Sequence, residues 1–241
     1  MNVSFIITTY NSARFLEACI DSCLNQINHK LLYEIIIIND GSTDETTNIL
    51  QKYNHNKIKI FDIENSGIEK AVNFAFTKAK GDYFIRVDAD DYLHLEYLKN
   101  IEKFLVDTKT FFYTNYWLVD EFQKIIREVK LPNYNKDEIR ERGDFMASGT
   151  VFPKDIIKRL GGYNTTVKNC GLENYELILK LIKNNISGFS INKALVFYRR
   201  HGSNMSEEKR SSIIEYGNEI AKKFNLVEYK TNKYHPYGLK L

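Results

Sequence analysis

Glu34-Ile35-Ile36-Ile37-Ile38-Asn39-Asp40-Gly41-Ser42-Thr43-Asp44 carries the clearest architectural signal in the chain. Its four isoleucines form a short β-branched run with no polar alternation, the pattern of a strand covered on both faces. Asp40-Gly41-Ser42 is a turn. A helix follows from about Thr43, with Asp44 and Glu45 in its first turn, where carboxylates suit the positive end of the helix dipole. Working outward, Val3 to Thr9 is a second β-rich run. Asn11 or Ser12 can cap a helix carrying Phe15, Leu16, Cys19, Ile20, Cys23 and Leu24 at helical spacing. On the other side, Ile58 to Ile63 reads as a strand. Gly67 to Lys80 reads as a helix with Ile68, Ala71, Val72, Ala75, Phe76 and Ala79 on one face. Gly81 stops it, and the strand Tyr83 to Val87 ends in Asp88-Ala89-Asp90-Asp91.

Strands alternating with helices through short links predict an α/β fold with a mostly parallel central sheet and flanking helices. Ligands of such sheets sit beyond the carboxyl ends of the strands. Thr8, Thr9, Tyr10 and Asn11, then Asn39 and Asp40, then the acidic cluster all fall at that edge. After Leu105 the pattern changes. Phe111 to Val119 and Phe122 to Val129 read as a two-strand meander, and Pro132 to Asp144 as an exposed loop with some helix. Phe145 to Phe152 reads as a strand, and a helix runs from Pro153 to Gly161-Gly162. Leu172 to Asn184 reads as a helix, Phe189 to Arg199 as two short strands, and Glu207 to Phe224 as a final helix. No repeat or Gly/Pro/Ser-rich linker divides the chain. Residues 1–107 and 108–205 therefore read as two halves of one domain, followed by a helix and tail over 206–241.

Composition narrows the function. The chain has 241 residues, 43% hydrophobic and 27% charged, which suits an ordinary core, and its sixteen Tyr and fifteen Phe argue against disorder. A net charge of +3 gives no reason to expect nucleic acid. Apolar runs fall far short of the roughly 20 residues of a membrane span. Cys19, Cys23 and Cys170 are an odd set with no CxxC, so neither a disulfide framework nor a zinc site is expected, and buried thiols are. The N-terminus runs straight into a strand without a basic start and long apolar region, and the reading is of a soluble cytoplasmic protein.

Several side chains can carry chemistry, and each has a plainer role beside it. Asp88, Asp90 and Asp91 offer hard oxygen ligands suited to Mg²⁺ or Mn²⁺, or form an acidic turn. An EF-hand is excluded, because Lys99 stands where its bidentate Glu belongs. Asp40 can accept a hydrogen bond from a base or ribose, or cap the next helix. Lys70 can approach a phosphate or remain a solvated charge. Glu173, Asn174 and Glu176 gather at a helix start, where acids also suit the dipole. His201 can hold a metal or phosphate, or neither.

Taken in order, these pieces resemble family 2 glycosyltransferases, which are inverting enzymes of GT-A fold. The matching stretches are Ser4 to Asn11, Glu34 to Asp44, Asn65 to Asn73, Gly81 to Asp91, Leu160 to Asn164, Leu172 to Leu177 and Phe197 to His201, spanning residues 2 to 205. The resemblance implies a nucleotide-sugar-binding half over 1–107 and an acceptor-binding half over 108–205. It implies a nucleoside diphosphate sugar donor, most commonly a UDP-sugar. Thr8, Tyr10 and Asp40 would hold the base, with Lys70 and Asn73 nearby. Asp88 would sit by the ribose or metal shell, and Asp90 would ligate Mn²⁺ or Mg²⁺, with His201 completing the contacts. Metal and cationic groups would stabilise charge developing on the leaving group.

The family commonly shows Glu-Asp at the helix start, with the Asp as base, whereas this chain has Glu173-Asn174. An amide cannot take the acceptor's proton. The base then falls to Glu173 or Glu176 or lies elsewhere, or the chain is a catalytically silent nucleotide-sugar or carbohydrate-binding protein on the same fold. A nucleotidyltransferase ranks below both, because no Gly-rich basic phosphate loop lies near the N-terminus. The acceptor implied is a glycan or lipid-linked hydroxyl, for which Tyr113, Tyr116 and Trp117 are candidate stacking residues, or else core. Lys222, Lys223, Lys230, Lys233 and Lys240 suggest either a solvated tail or peripheral contact with the inner face of a membrane.

Overall fold

A computed structural model describes residues 1–27, 29–106, 108–142, 148–205 and 209–230. β1 (Val3–Thr9) pairs in parallel with β2 (Leu32–Asp40) on one side and β4 (Tyr83–Arg86) on the other, and β3 (Ile58–Ile63) extends β2. The isoleucines of β2 are buried throughout, as a doubly covered strand requires. α1 (Ala13–Leu24), α2 (Thr46–Leu50) and α3 (Ile68–Lys78) connect these strands. α3 packs on β1 and β2 through Ala71, Val72 and Ala75.

Beyond β4 the sheet becomes mixed. β5 (Tyr92–Leu93) and α4 (Tyr97–Ile101) follow the acidic cluster, then β6 (Phe111–Val119), β7 (Ile125–Val129) and α5 (Lys136–Arg142). β8 (Val151–Pro153), α6 (Lys154–Leu160), α7 (Glu173–Lys183), β9 (Gly188–Arg199) and α8 (Arg210–Lys223) complete the described elements. The strand order is β3-β2-β1-β4-β8-β6-β9-β5, with β7 pairing β6. β8 joins β4 to β6 antiparallel, and β6 and β9 run parallel, so one sheet passes through both halves of the chain. Parallel pairing thus holds across the first four strands and gives way to mixed pairing after them.

Several local expectations need correction. The segment Phe189 to Arg199 is one long strand, because register shifts around Asn115 let it follow β6 past a bulge. Residues 120–124 form a turn, so the meander's second strand starts at Ile125. The strand expected over Phe145 to Phe152 is β8 alone, with residues 143–147 outside the described set. The final helix is described from Arg210. Ser12 stands at the N-cap of α1 without a side-chain cap. Asp44 accepts from the Ala13 N–H at 3.1 Å instead, tying α1 to the turn after β2. The three cysteines are buried and unbridged, as read from the sequence.

Candidate functional site

The carboxyl ends of β1, β2, β4 and β9 open on a cavity of about 620 Å³. Thr8, Thr9 and Tyr10 line it from β1, Asp40 from β2, Asp88 and Asp90 from the loop after β4, and His201 and Asn204 from the turn after β9. Arg14 and Phe15 of α1 add a cationic and an aromatic wall. The loops forming the floor are tied to one another. Asn11, with φ of 50°, uses Oδ1 to accept from the Thr43 N–H at 2.7 Å, and its own N–H donates to Ser42 Oγ at 3.0 Å. Gly41 has φ of 73°, and a Cβ there would lie 2.8 Å from the Asn65 backbone nitrogen, so only glycine lets the loop after β3 approach.

Asp40 does not cap α2. Oδ1 accepts from the N–H and hydroxyl of Ser66 at 2.8 and 3.1 Å, and Oδ2 accepts from the Gly67 N–H at 2.9 Å. A carboxylate has about four acceptor positions. These bonds therefore hold Asp40 at the cavity wall and leave it capacity for a ligand donor.

The three aspartates after β4 are each compensated differently. Asp88 takes the Arg86 Nε–H at 2.6 Å. Burial pushes its pKa up, the Arg86 cation opposes that, and repulsion from Asp90 adds to the rise. Asp90 Oδ2 lies 2.9 Å from His201 Nε2 and accepts from Asn204 Nδ2 at 3.2 Å. Asp91 is buried, and burial followed by repulsion from Asp90 and Asp88 drives its carboxyl well up. Oδ1 accepts from the Arg199 N–H at 2.9 Å, and that bond and the Ser148 hydroxyl act against the rise. The Arg199 side chain, fully buried, donates through Nε to the Asp90 carbonyl at 2.7 Å. Its guanidinium lies between Phe15 and Tyr92, 4.7 and 5.2 Å from their ring centres.

Behind Arg86 sits a second polar cluster. Its Nη1 donates to Glu173 Oε1 at 2.7 Å, so one guanidinium spans Asp88 and Glu173. Glu173 is 2% exposed. Burial raises its pKa, Arg86 opposes the rise and Glu69 adds to it. Glu69 accepts the Asn169 and Cys170 N–H groups at 2.8 and 2.7 Å, and Glu173 Oε2 is 4.0 Å from the Cys170 thiol. Glu69, Cys170 and Glu173 bring ligand-type atoms within 4.8 Å of one another. A thiol and carboxylates already committed to amides and Arg86 suit Mn²⁺ or Mg²⁺ less well than the Asp90–His201 pair at the cavity.

The other expected residues are spread more widely. Asn174 accepts from the Tyr163 hydroxyl at 3.5 Å, and neither it nor Glu173 lines the cavity. Glu176 is ion-paired with Lys223 at 2.6 Å and accepts from Tyr216 at 2.6 Å and Asn164 at 3.3 Å. Burial raises its pKa, but these bonds outweigh it and hold the carboxyl below its ordinary value. Glu176 is therefore a support for α8 rather than a base. Asn73 makes a two-bond clasp to the Tyr163 backbone, 2.8 Å each way, and neither it nor Lys70 lines the cavity. Tyr113 and Tyr116 are core. Lys223 and Lys230 are ion-paired, and Lys233 and Lys240 lie outside the described residues. Arg86, Arg199 and Asn204 escaped the sequence reading. Arg86 had a usable signal: it is the last residue of β4 and stands two positions before Asp88, within reach of the acidic cluster.

Comparison with known proteins agrees with this architecture. Residues 4–159 match the family described as Glycosyl transferase family 2. The chain is 30% identical to the O-antigen biosynthesis glycosyltransferase WbnJ of Escherichia coli, covering 97% of this chain and 94% of that protein. It is 31% identical to the UDP-Glc:alpha-D-GlcNAc-diphosphoundecaprenol beta-1,3-glucosyltransferase WfaP of Escherichia coli, covering 90% and 85%. It spans only 38% of an uncharacterized glycosyltransferase of Rickettsia felis, at 29% identity over 92% of this chain. The crystal structure of S. aureus TarS 1–349 in complex with UDP-GlcNAc superposes with a TM-score of 0.73 at 22% identity, covering 92% of this chain and 66% of that one, a likeness of fold. The sheet and these matches agree, and the chain belongs to glycosyltransferase family 2.

Proposed function

We propose that the chain transfers a sugar, with inversion, from a UDP-sugar to a hydroxyl of a glycan or lipid-linked acceptor, with Mn²⁺ or Mg²⁺ as cofactor. The observation that carries this is the convergence of Thr8, Tyr10, Asp40, Asp88, Asp90 and His201 on one cavity from four strand ends. Thr8, Tyr10 and Asp40 bind the base and Asp88 the ribose side. Asp90 and His201 would hold the cation, whose oxygen and imidazole donors suit a hard divalent ion. When bound, that ion neutralises charge on the departing diphosphate. Asn73 acts at a remove, fixing the Tyr163 loop, and Lys70 stands outside the cavity. WfaP's name specifies a UDP-glucose donor and a diphosphoundecaprenol-linked acceptor, and the TarS structure holds UDP-GlcNAc; both support the donor class.

Glu173 is the proposed proton acceptor. Of the carboxylates around the start of α7, Glu69 is held by two backbone amides and Glu176 by Lys223. Glu173 gives Oε1 to Arg86 and has Oε2 4.0 Å from the Cys170 thiol, with no second cation paired to it among the described residues. A lipid-linked acceptor places this chemistry at the inner surface of a membrane, the basic tail being one candidate contact. Among the described residues no helix is long and apolar enough to cross one.

A second reading has its own observation. Asn174 at the usual base position, with Glu173 outside the cavity lining, favours a protein that binds donor without transferring it. Incubation with UDP-sugars and diphosphate-lipid acceptors, read by UDP release and product mass, separates the two. Turnover in wild type, lost in Glu173→Gln with UDP binding retained, supports the transferase. UDP binding with no turnover supports the silent binder.

A further inference from the structure

The turn between β6 and β7 presents an unusual surface. Phe122 is 77% exposed, Ile125 50% and Ile126 55%. The turn is not loose: Asp120 Oδ1 accepts the Phe122 and Lys124 N–H groups at 2.9 Å each, and the Asp120 N–H donates to the Lys124 carbonyl at 3.0 Å. Successive strand residues point to opposite faces, so Ile125 and Ile126 make both faces of the ribbon apolar just behind Phe122. β7 pairs only with β6 among the described strands. Lys124 and Arg127 are exposed beside the apolar side chains, with no ion-pair partner among the described residues.

This tip stands at the rim of the cavity. Glu121 is ion-paired at 2.6 Å to Arg14, a cavity residue whose guanidinium lies 6.0 Å from the Phe122 ring centre. The Glu121 carbonyl accepts from Arg199 Nη1 at 3.2 Å, and Arg199 Nε is bonded to the Asp90 carbonyl. A rigid connection therefore runs from the tip to the loop carrying Asp90.

We infer that the β6–β7 hairpin docks on an anionic lipid bilayer, with Phe122, Ile125 and Ile126 entering the interface and Lys124 and Arg127 meeting phosphate headgroups. A protein groove covers one face of a ribbon, whereas a bilayer interface surrounds a tip that is apolar on both faces. Of the hairpin's charges, Glu121 is neutralised by Arg14 and Asp120 is turned onto the turn's own amides, which leaves Lys124 and Arg127, flanked by Glu128, to meet headgroup phosphates. Docking there sets the cavity mouth against the membrane and brings a lipid-linked hydroxyl to the donor. The inference rests on the lipid-linked acceptor proposed above.

The test is co-sedimentation of the full chain with phosphatidylglycerol-containing and pure phosphatidylcholine vesicles. Wild type should bind the anionic vesicles, less so as salt rises. Phe122→Ser/Ile126→Ser should weaken binding roughly tenfold or more. Lys124→Glu/Arg127→Glu should remove the preference for anionic lipid. Phe122→Trp should show a blue-shifted emission component on anionic vesicles. UDP-induced stabilisation of each variant, measured in parallel, should match wild type. Absent vesicle binding, binding unchanged by the hairpin variants, or self-association that the Ser variants abolish in place of vesicle binding would each overturn the inference. Loss of UDP binding in wild type would instead strike the donor reading, which the vesicle measurement does not use.

Discussion

At the scale of single residues the account turns on Arg86, Glu173 and Asn174. Glu173→Gln keeps the shape and removes the proton acceptor. Turnover should fall about 10²–10⁴-fold while UDP affinity stays within error of wild type. Asn174→Asp restores the family's usual acid, and turnover should rise about tenfold or more if Glu173 is an imperfect substitute; an unchanged rate would mean that position 174 has no role in proton transfer here. pH adds a sign that can be checked. Burial raises the Glu173 pKa, and the base works only when ionised, so as pH is lowered kcat should begin to fall at a higher pH than an ordinary carboxylate would dictate. Arg86 opposes that rise, so Arg86→Met should move the acid limb of the kcat–pH profile further upward, and a downward move would contradict the pairing.

At the scale of elements, the buried Glu34 on β2 shows how the sheet is tied together. Oε1 accepts from the Ser4 hydroxyl on β1 at 2.9 Å and from the Lys80 N–H at 2.5 Å, and Oε2 pairs with Lys59 on β3 at 2.5 Å. Burial raises its pKa, but these bonds outweigh it and hold the carboxyl below its ordinary value. The stabilisation is then complete above the unfolded pKa of about 4.3 and is lost as pH falls through the lower folded value. Glu34→Ala orphans the Ser4 and Lys80 donors and should cost about 1–3 kcal/mol in urea unfolding at neutral pH, with the difference shrinking in acid. Elements with a strong period were legible from sequence: β1 to β4, α1, α3 and α7 all follow apolar spacing. β5 and α4 were not, because two- and five-residue elements carry too little pattern, and the single long β9 was hidden by a bulge that sequence does not mark. Caps were misread for a related reason: Asp44 reaches α1 from another loop, a contact with no local signature.

At the scale of the whole molecule, the gathering of Thr8, Asp40 and Asp88 at one cavity was legible in the sequence, because strand–helix alternation fixes which strand ends face the same way. What remained hidden was long-range. Arg86 reaching Glu173, Arg199 tying the hairpin to the Asp90 loop, and Asn73 clasping Tyr163 join residues 78 to 109 positions apart. The central claim is that this edge holds a UDP-sugar with a divalent ion at Asp90. Its most direct test is thermal unfolding with UDP, with and without Mn²⁺, in wild type and Asp90→Ala. Ligand at about 100 times its dissociation constant adds about 2.7 kcal/mol, a rise of about 5–10 °C for a chain of this size. The account predicts that rise in wild type only with Mn²⁺, and its loss in Asp90→Ala. No rise with UDP, or an equal metal-dependent rise in Asp90→Ala, would contradict it.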